Sequence, residues 1–385
     1  MTALVVASVT SLLFLFWRAH LWYWSRSLAV DAQYVEQISA KLSDGGAVEL
    51  RRLASTEDGL SAPIERVPVL LVHGLAMRET CFDLGETSLA RHLQREGFDV
   101  WLLTLRSGRG ALWPFGPKHC HFAAMVAHDL PYAVDEVLRR TGAKQLDIAA
   151  LSMGGMIVYA SLGRSLEREK VHRVVLFGAP GQIRPLGPLN WSHLIPVNWV
   201  LRVPMRGWLQ TVAFAPRLVV SRLWRFLYNP RNLEPELERK MLWNIWEGIS
   251  GPLGRDFVKF SRAGGTISVD GRPVLEGLAR IDVPALFFAG KVDGLAPEYT
   301  VRAGFDAWGR DVPAVRKEFV LLGRATSGSE HDYGHCDIVI GRNAVREVFA
   351  PVVSFLSEGQ PRRMRTSGYA PRAGDDQRSG LALEM

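Results

Sequence analysis

Three residues far apart in the chain have the types needed for nucleophilic catalysis: Ser152, Asp293 and His335. A serine hydroxyl is a poor nucleophile at neutral pH, so it needs a histidine as base and an acid that orients this base. Ser152 lies in LSMGG, between a predicted strand and a predicted helix, and the small residues Ala150 and Gly154 lie two positions before and after it. This pattern predicts a sharp turn that exposes the serine hydroxyl above a sheet.

The backbone next to this serine is predicted to hold a developing oxyanion. The amide of Met153 lies at the N-terminus of the predicted helix and supplies one donor. The segment VLLVHGLAM (69–77) ends another strand with His73 and Gly74, where glycine permits a close backbone approach and the amide of Leu75 supplies a second donor. We therefore also place His73 and Gly74 at the substrate site.

The other two residues follow strands as well. Asp293 comes after PALFFAG in the sequence KVDGLAP, and His335 lies in HDYGHCDIVIG after the last strand. Reactive residues gather at the carboxyl ends of strands in open parallel sheets, and Ser, Asp, His is the order that the serine turn predicts. Asp337, two residues after His335, is an alternative acid.

The elements that must position these residues alternate between strand and helix. Amphipathic helices are predicted at 84–95, 122–140 and 153–166, which implies an α/β fold with a mostly parallel sheet covered on both faces. The predicted strands are VPVLLV (67–72), FDVWLLTL (98–105), QLDIAAL (145–151), RVVLFG (173–178), PALFFAG (284–290) and EFVLLG (318–323).

The alternation stops between residues 182 and 272, where a helical stretch rich in Pro and Trp predicts a cap inserted over the sheet. The predicted organisation is an N-terminal anchor (1–30), a first core part (31–181), the cap (182–272), a second core part (273–358) and a disordered tail (359–385).

In several segments the sequence resembles the α/β-hydrolase superfamily, and within it the branch of the gastric and lysosomal acid lipases. These segments are VPVLLVHGL, GFDVWLLTLR, HDLPYAVDEVLRRTG and GHCDIVIGRNAVREVF, and STEDG (55–59) is similar to the opening strand and turn of that branch. The resemblance implies the α/β-hydrolase fold and hydrolysis of esters of lipophilic acids, with Ser152, Asp293 and His335 as triad. The sequence ALSMGG at the turn of Ser152 departs from the GHSQGG or GHSQGT of that branch. Residues 182–272 do not match the cap of that branch.

The positive charge of the chain is concentrated in the predicted cap. The 385 residues contain 46 Lys and Arg against 39 Asp and Glu, and residues 182–233 hold seven arginines and no acid. Four tryptophans in the same stretch suit an anionic lipid surface better than nucleic acid. On a helix over 217–228, Arg217, Arg222 and Arg225 lie opposite an apolar arc, and we expect Trp224 and Trp243 to line an acyl pocket. A cap that only covers the core is the alternative.

The N-terminus is predicted to be a membrane anchor. Residues 3–17 carry no charge, and the aromatic run 22–24 follows Arg18. A span that reaches Trp24 is long enough if Arg18 extends toward the interface, and Arg26 on the same side predicts a cytoplasmic catalytic domain. A signal peptide fits less well, because no basic residue precedes the apolar stretch. A helix packed on the protein itself is the alternative.

A metal site is disfavoured. His119, Cys120, His121, His128 and Asp129 are ligand types, but their spacing does not suit zinc, and we expect no metal and no cofactor. Three functions remain open: a lipase or esterase, which we favour, an acyltransferase that uses the same serine, and an inactive lipid-binding protein.

Overall fold

A computed structural model describes residues 2–30, 32–53, 67–85, 87–109, 119–184, 203–214 and 226–360. The strands of the described residues are β1 Glu36–Lys41, β2 Ala47–Leu53, β3 Val69–Val72, β4 Val100–Thr104, β5 Leu146–Leu151, β6 Val171–Phe177, β7 Ser268–Val269, β8 Arg272–Pro273, β9 Ala285–Gly290 and β10 Lys317–Leu322. Their α-helices are α1 Thr2–Leu28, α2 Leu89–Arg95, α3 Phe122–Ala124, α4 Leu130–Thr141, α5 Met153–Ser161, α6 Met205–Val212, α7 Pro235–Asn244, α8 Gly251–Arg262, α9 Val274–Gly277, α10 Glu298–Ala307, α11 Asp337–Ile340 and α12 Ala350–Ser357.

Eight strands form one sheet in the order β1-β2-β4-β3-β5-β6-β9-β10. All neighbours from β4 to β10 are parallel, and β1 and β2 form an antiparallel edge against β4. The six predicted strands are therefore confirmed as the parallel part of the sheet. The edge hairpin was not predicted, because its charged residues interrupt any continuous apolar run, and EQISAK and AVELRRL instead alternate between more and less exposed positions.

Both faces of the sheet are covered. Within β3, Val69 and Leu71 pack into one apolar cluster, and Leu70 and Val72 pack into a second cluster on the opposite face. This is the two-sided burial that short, continuous apolar strands predict. The predicted fold class, an α/β fold with a mostly parallel sheet and helices on both faces, is confirmed.

The segment between β6 and β9 adds no strand to the eight-stranded sheet within its described residues. It contributes α6, α7 and α8 and the short β7-β8 hairpin. An isolated bridge pairs Met77, after β3, with Trp246, after α7. Trp224, Arg217, Arg222 and Arg225, the segment 55–59 and residues 361–385 lie outside the described residues.

Helix α1 has two different halves. Residues 5–16, in its first part, are all exposed, with Leu12, Phe14 and Phe16 each more than half accessible. The second half packs on the segment between β6 and β9, which we predicted to be a cap: Trp17 Nε1 donates to Thr211 Oγ1 at 2.7 Å, and Trp24 stacks on Phe214. One stretch, Val5–Leu28, is long and apolar enough to be a membrane anchor or a signal sequence.

Candidate active site

The turn between β5 and α5 holds Ser152 in a strained conformation, with φ 53° and ψ −120°. A non-glycine residue at positive φ costs about 1–3 kcal/mol and persists only where its surroundings enforce it. Here the amide of Ser152 donates to Phe177 O at 2.9 Å, which ties the turn to β6. A Cβ at Gly154 would lie 2.4 Å from Val72 O, so only glycine lets α5 begin this close to β3.

Asp293 and His335 form a buried pair. Asp293 Oδ2 lies 2.7 Å from His335 Nδ1, and both side chains are nearly inaccessible to solvent. The other carboxylate oxygen, Oδ1, accepts from the amides of Leu295 at 2.9 Å and Ala296 at 2.8 Å. With both oxygens engaged, the carboxylate is fixed and holds the imidazole in one orientation.

The pair lies near the serine turn because only β6 separates β5 from β9 in the sheet. Leu151 of β5 pairs with Phe177 of β6, and Phe177 pairs with Phe288 of β9. Gly178 follows Phe177, and a Cβ on it would lie 3.1 Å from His335 Nδ1 and 3.2 Å from Asp293 Oδ2. Gly178 also has φ 50°, so both its conformation and these close contacts favour glycine where the chain leaves β6 beside the pair.

Asp337, the alternative acid, serves a different purpose. Its carboxylate is fully buried and accepts from the amides of Gly334 at 3.0 Å and Asn229 at 3.2 Å and from Asn232 Nδ2 at 3.1 Å. Burial raises its pKa to about 6. The imidazole of His335 is paired with Asp293 instead. The adjacent thiol of Cys336 is also buried, which raises its pKa well above the ordinary value and makes it a poor nucleophile.

The turn after β3 approaches the serine from the other side. A Cβ at Gly74 would lie 3.0 Å from Ser152 Cβ, so the backbone that leads to Leu75 passes close to the Ser152 side chain. Ala76 has φ 57°, and its carbonyl accepts from Glu247 N at 2.7 Å. The turn that carries the predicted Leu75 donor is therefore held by both the core and the cap.

The expectation that His73 contacts substrate is corrected. Its ring is inaccessible; Nε2 accepts from Leu105 N at 3.0 Å, so Nδ1 carries the proton and donates to Gly74 O at 2.9 Å. Burial lowers its pKa to about 4, which keeps the ring neutral. His73 thus stabilises the turn after β3 through these two hydrogen bonds to backbone atoms.

The cap meets this turn through an antiparallel contact. Arg78 N donates to Ile245 O at 2.8 Å, and the Arg78 guanidinium lies 3.6 Å from the Glu247 carboxylate. Arg206 of α6 donates to the same carboxylate at 2.7 Å. Trp243 is almost fully buried in the core cluster beneath this contact.

The disfavoured metal ligands have other partners. Asp129 accepts from the backbone and guanidinium of Arg106 at 2.9 and 2.8 Å, and Cys120 is buried, which raises its pKa to about 11. His121 lies 3.5 Å from Asp256. Within the described ranges, no group of three His, Cys, Asp or Glu side chains could hold a metal ion.

Two features of the site were missed from the sequence. One is Gly178, for which the pattern FGAPG directly after a strand was an available signal. The other is the segment 226–232, which returns from the cap and bonds to the loops of the acid and the histidine. No sequence pattern marks this segment, because its bonds come mainly from the backbone.

Comparison with known proteins agrees with this fold. The profile of the α/β hydrolase fold family matches residues 67–327. Sterol esterase 2 of Saccharomyces cerevisiae is 32% identical over 141 residues, which cover 34% of this chain and 26% of the yeast protein. Gastric triacylglycerol lipase of Bos taurus is 31% identical over 144 residues, covering 34% of this chain and 36% of the bovine protein. The aligned regions span less than half of each relative.

Solved structures share the fold. A thermophilic esterase from Thermogutta terrifontis superimposes with a TM-score of 0.52 at 19% identity, covering 85% of this chain and all of the esterase. A carboxylesterase from Bacillus subtilis superimposes with a TM-score of 0.51 at 16% identity, and the match covers 90% of this chain and 98% of the carboxylesterase. At these identities the likeness shows the fold alone.

Proposed function

The chain belongs to the α/β hydrolase fold family, and from this we propose that it is a serine hydrolase that cleaves carboxylic esters of lipophilic acids. The observation that carries the proposal is the buried pair of Asp293 and His335 at 2.7 Å, next to the strained Ser152 turn. A strained serine and an oriented histidine that both follow strands of one parallel sheet are what acyl transfer to a hydroxyl requires.

Each residue has a distinct role in the proposed reaction. Asp293 accepts from Nδ1–H of His335, which leaves Nε2 free to take the proton of Ser152 as Oγ attacks the ester carbonyl. The amides of Met153 and Leu75 stabilise the oxyanion of the tetrahedral intermediate. His335 then returns the proton to the leaving alcohol, and water attacks the acyl-enzyme by the same steps in reverse.

Two observations support lipophilic acyl groups. Relatives that align with this chain are named as a sterol esterase and as triacylglycerol lipases. The part of the cap next to the oxyanion turn contributes the apolar side chains of Trp243, Ile245 and Trp246, which are buried in the core cluster. Trp243 remains our candidate for the acyl pocket, with Gly74 at its catalytic end.

We further propose that α1 anchors the protein in a membrane, with the catalytic domain in the cytoplasm. Residues 5–16 of this helix carry apolar side chains exposed in every direction, which is costly in water and favourable in lipid. The aromatic residues Trp22, Tyr23 and Trp24 and the guanidinium of Arg26, stacked on Trp22 at 3.8 Å, suit the depth of lipid headgroups. The arginine-rich part of the cap would then face anionic lipid.

The catalytic proposal is tested by labelling the full chain with a fluorophosphonate and by measuring release of fatty acid from long-chain esters. We expect labelling and hydrolysis that are both lost in Ser152→Ala, with Ser165→Ala as matched control because Ser165 lies on the surface after α5. Labelling that survives in Ser152→Ala would refute the assignment. An alcohol acceptor added to the assay distinguishes hydrolysis from acyl transfer, since an ester product would show the latter.

The membrane proposal is tested by liposome flotation at low and high salt. A chain without residues 1–30 should bind anionic liposomes only, and more weakly at high salt, because each arginine near such a surface contributes about 1 kcal/mol. Replacing Arg217, Arg222 and Arg225 by Gln should weaken this binding and leave hydrolysis of a short soluble ester unchanged. Full solubility of the intact chain without detergent would contradict the anchor.

A further inference from the structure

The segment 226–232, which we name the strap, joins the cap to both loops that carry the catalytic pair. The carbonyl of Phe226 accepts from Gly294 N at 3.1 Å, one residue after Asp293. The carbonyl of Leu227 accepts from His335 N at 3.0 Å and from Cys336 N at 2.8 Å. The backbone of His335 is therefore held by the cap segment.

Asp337 fastens the strap to the histidine loop. Its carboxylate binds the amide of Asn229 and the side chain of Asn232, both in the strap, and the amide of Gly334 directly before His335. The fit is tight, since a Cβ at Gly334 would lie 2.7 Å from Tyr228 Cα and 2.8 Å from Asp337 Oδ1. A further hydrogen bond, from Arg342 N to Asn232 O at 2.7 Å, connects the strap to the residues that follow α11.

We propose that Asp337 is a positioning residue that sets the place of His335 by locking the cap-derived strap onto the histidine loop. This inference rests on the proposed triad. A buried carboxylate with several N–H donors is stabilising only while the donors stay in place, so the arrangement tolerates little movement. The loop of His335 is bonded on one side by Asp337 and on the other by the Leu227 carbonyl, so a shift of the strap would carry the imidazole with it.

The test is Asp337→Asn in the full chain. The amide keeps the size of the carboxylate but places an NH₂ group against the N–H donors of Asn229 or Gly334. We expect kcat on a short soluble ester, counted per serine titrated by a fluorophosphonate, to fall at least tenfold with KM unchanged, since misplacement of a catalytic group by about 1 Å costs up to 10²-fold. The rate of serine labelling should fall in parallel.

Asp147→Asn is the matched control. Asp147 is also fully buried and binds His172 at 2.9 Å, but it lies near the start of β5, at the opposite edge of the sheet from Ser152. It should lose stability and keep kcat per titrated site. If Asp337→Asn behaves in the same way, Asp337 is only a folding residue and the inference is wrong.

Two further measurements keep the inference testable. Asn232→Ala removes one donor and should lower kcat severalfold even if Asp337→Asn does not fold. The proton on His335 Nδ1, shared with Asp293, gives a far-downfield NMR resonance that should shift in Asp337→Asn and stay in Asp147→Asn. This resonance needs no substrate, so an unchanged signal overturns the inference, whereas an unlabelled Ser152 in the native chain overturns the proposed function.

Discussion

Adding one methyl group at Gly154 should damage the serine turn. A Cβ at Gly154 would lie 2.4 Å from Val72 O and 2.8 Å from His73 O, whereas ordinary contact begins at 3.4 Å. The deficit is therefore 3.4 − 2.4 = 1.0 Å. Both oxygens belong to the backbone of β3 and its turn, and β3 is paired on both sides, with β4 and β5, so neither oxygen can rotate away.

The start of α5 must consequently move by about 1 Å, and Ser152 and the amide of Met153 must move with it. Displacement of a nucleophile by about 1 Å costs up to 10²-fold in rate, and an overpacked methyl costs roughly 1–3 kcal/mol of stability. Gly154→Ala should therefore lose about two orders of magnitude in kcat while it remains folded.

The assay is kcat on a soluble ester together with the free energy of unfolding in urea. Gly277→Ala is the control, because a Cβ there would meet only Arg164 at 3.7 Å and the backbone, at φ −69°, suits alanine. It should be neutral or stabilising by about 0.4–1 kcal/mol. A kcat of Gly154→Ala within twofold of the native value would refute the argument that this contact sets the position of the serine.

Three further predictions follow from the same contacts. Asp293→Asn should lower kcat by about 10⁴-fold, and a larger loss in Asp337→Asn would show that the acid has been misassigned. Because the pKa of His73 is about 4 when folded and 6.5 in the reference state, the unfolded chain binds a proton that the folded chain does not between these pH values. Stability should thus fall by roughly 3 kcal/mol as the pH drops through this range, and urea titrations should show a smaller fall in His73→Gln. Deleting residues 2–16 should abolish binding to neutral liposomes, keep the salt-dependent binding to anionic ones and leave the thermal stability unchanged. Deleting residues 2–30 should also destabilise the cap, because Asn244 binds Leu28 O at 2.8 Å and Val30 N at 3.0 Å.

The sequence was sufficient to predict the parallel part of the sheet, because its strands contain short apolar runs, and β3, β4, β5 and β9 are buried along their whole length. The same reasoning could not find β1 and β2. Strands at an edge keep polar residues on the exposed side, and Glu36, Lys41, Arg51 and Arg52 hide the pattern within two short segments. Their place in the sheet depends on pairing with β4, a contact between residues about 50 positions apart.

The candidate site likewise has a part that the sequence predicts and a part that only the tertiary structure decides. Residue types, order and strand ends were enough to predict Ser152, Asp293 and His335, because a parallel sheet brings the carboxyl ends of its strands to one edge. The sequence alone left Asp293 and Asp337 as alternatives for the acid that orients His335. Asp293 precedes this histidine and Asp337 follows it, and neither spacing excludes a contact with the imidazole. Only the folded structure pairs His335 with Asp293 and gives Asp337 to the strap, because hydrogen bonds depend on positions in space that sequence spacing does not specify. His73 was misread for the same reason: its type suits substrate binding, but the fold buries it and engages both ring nitrogens with backbone atoms.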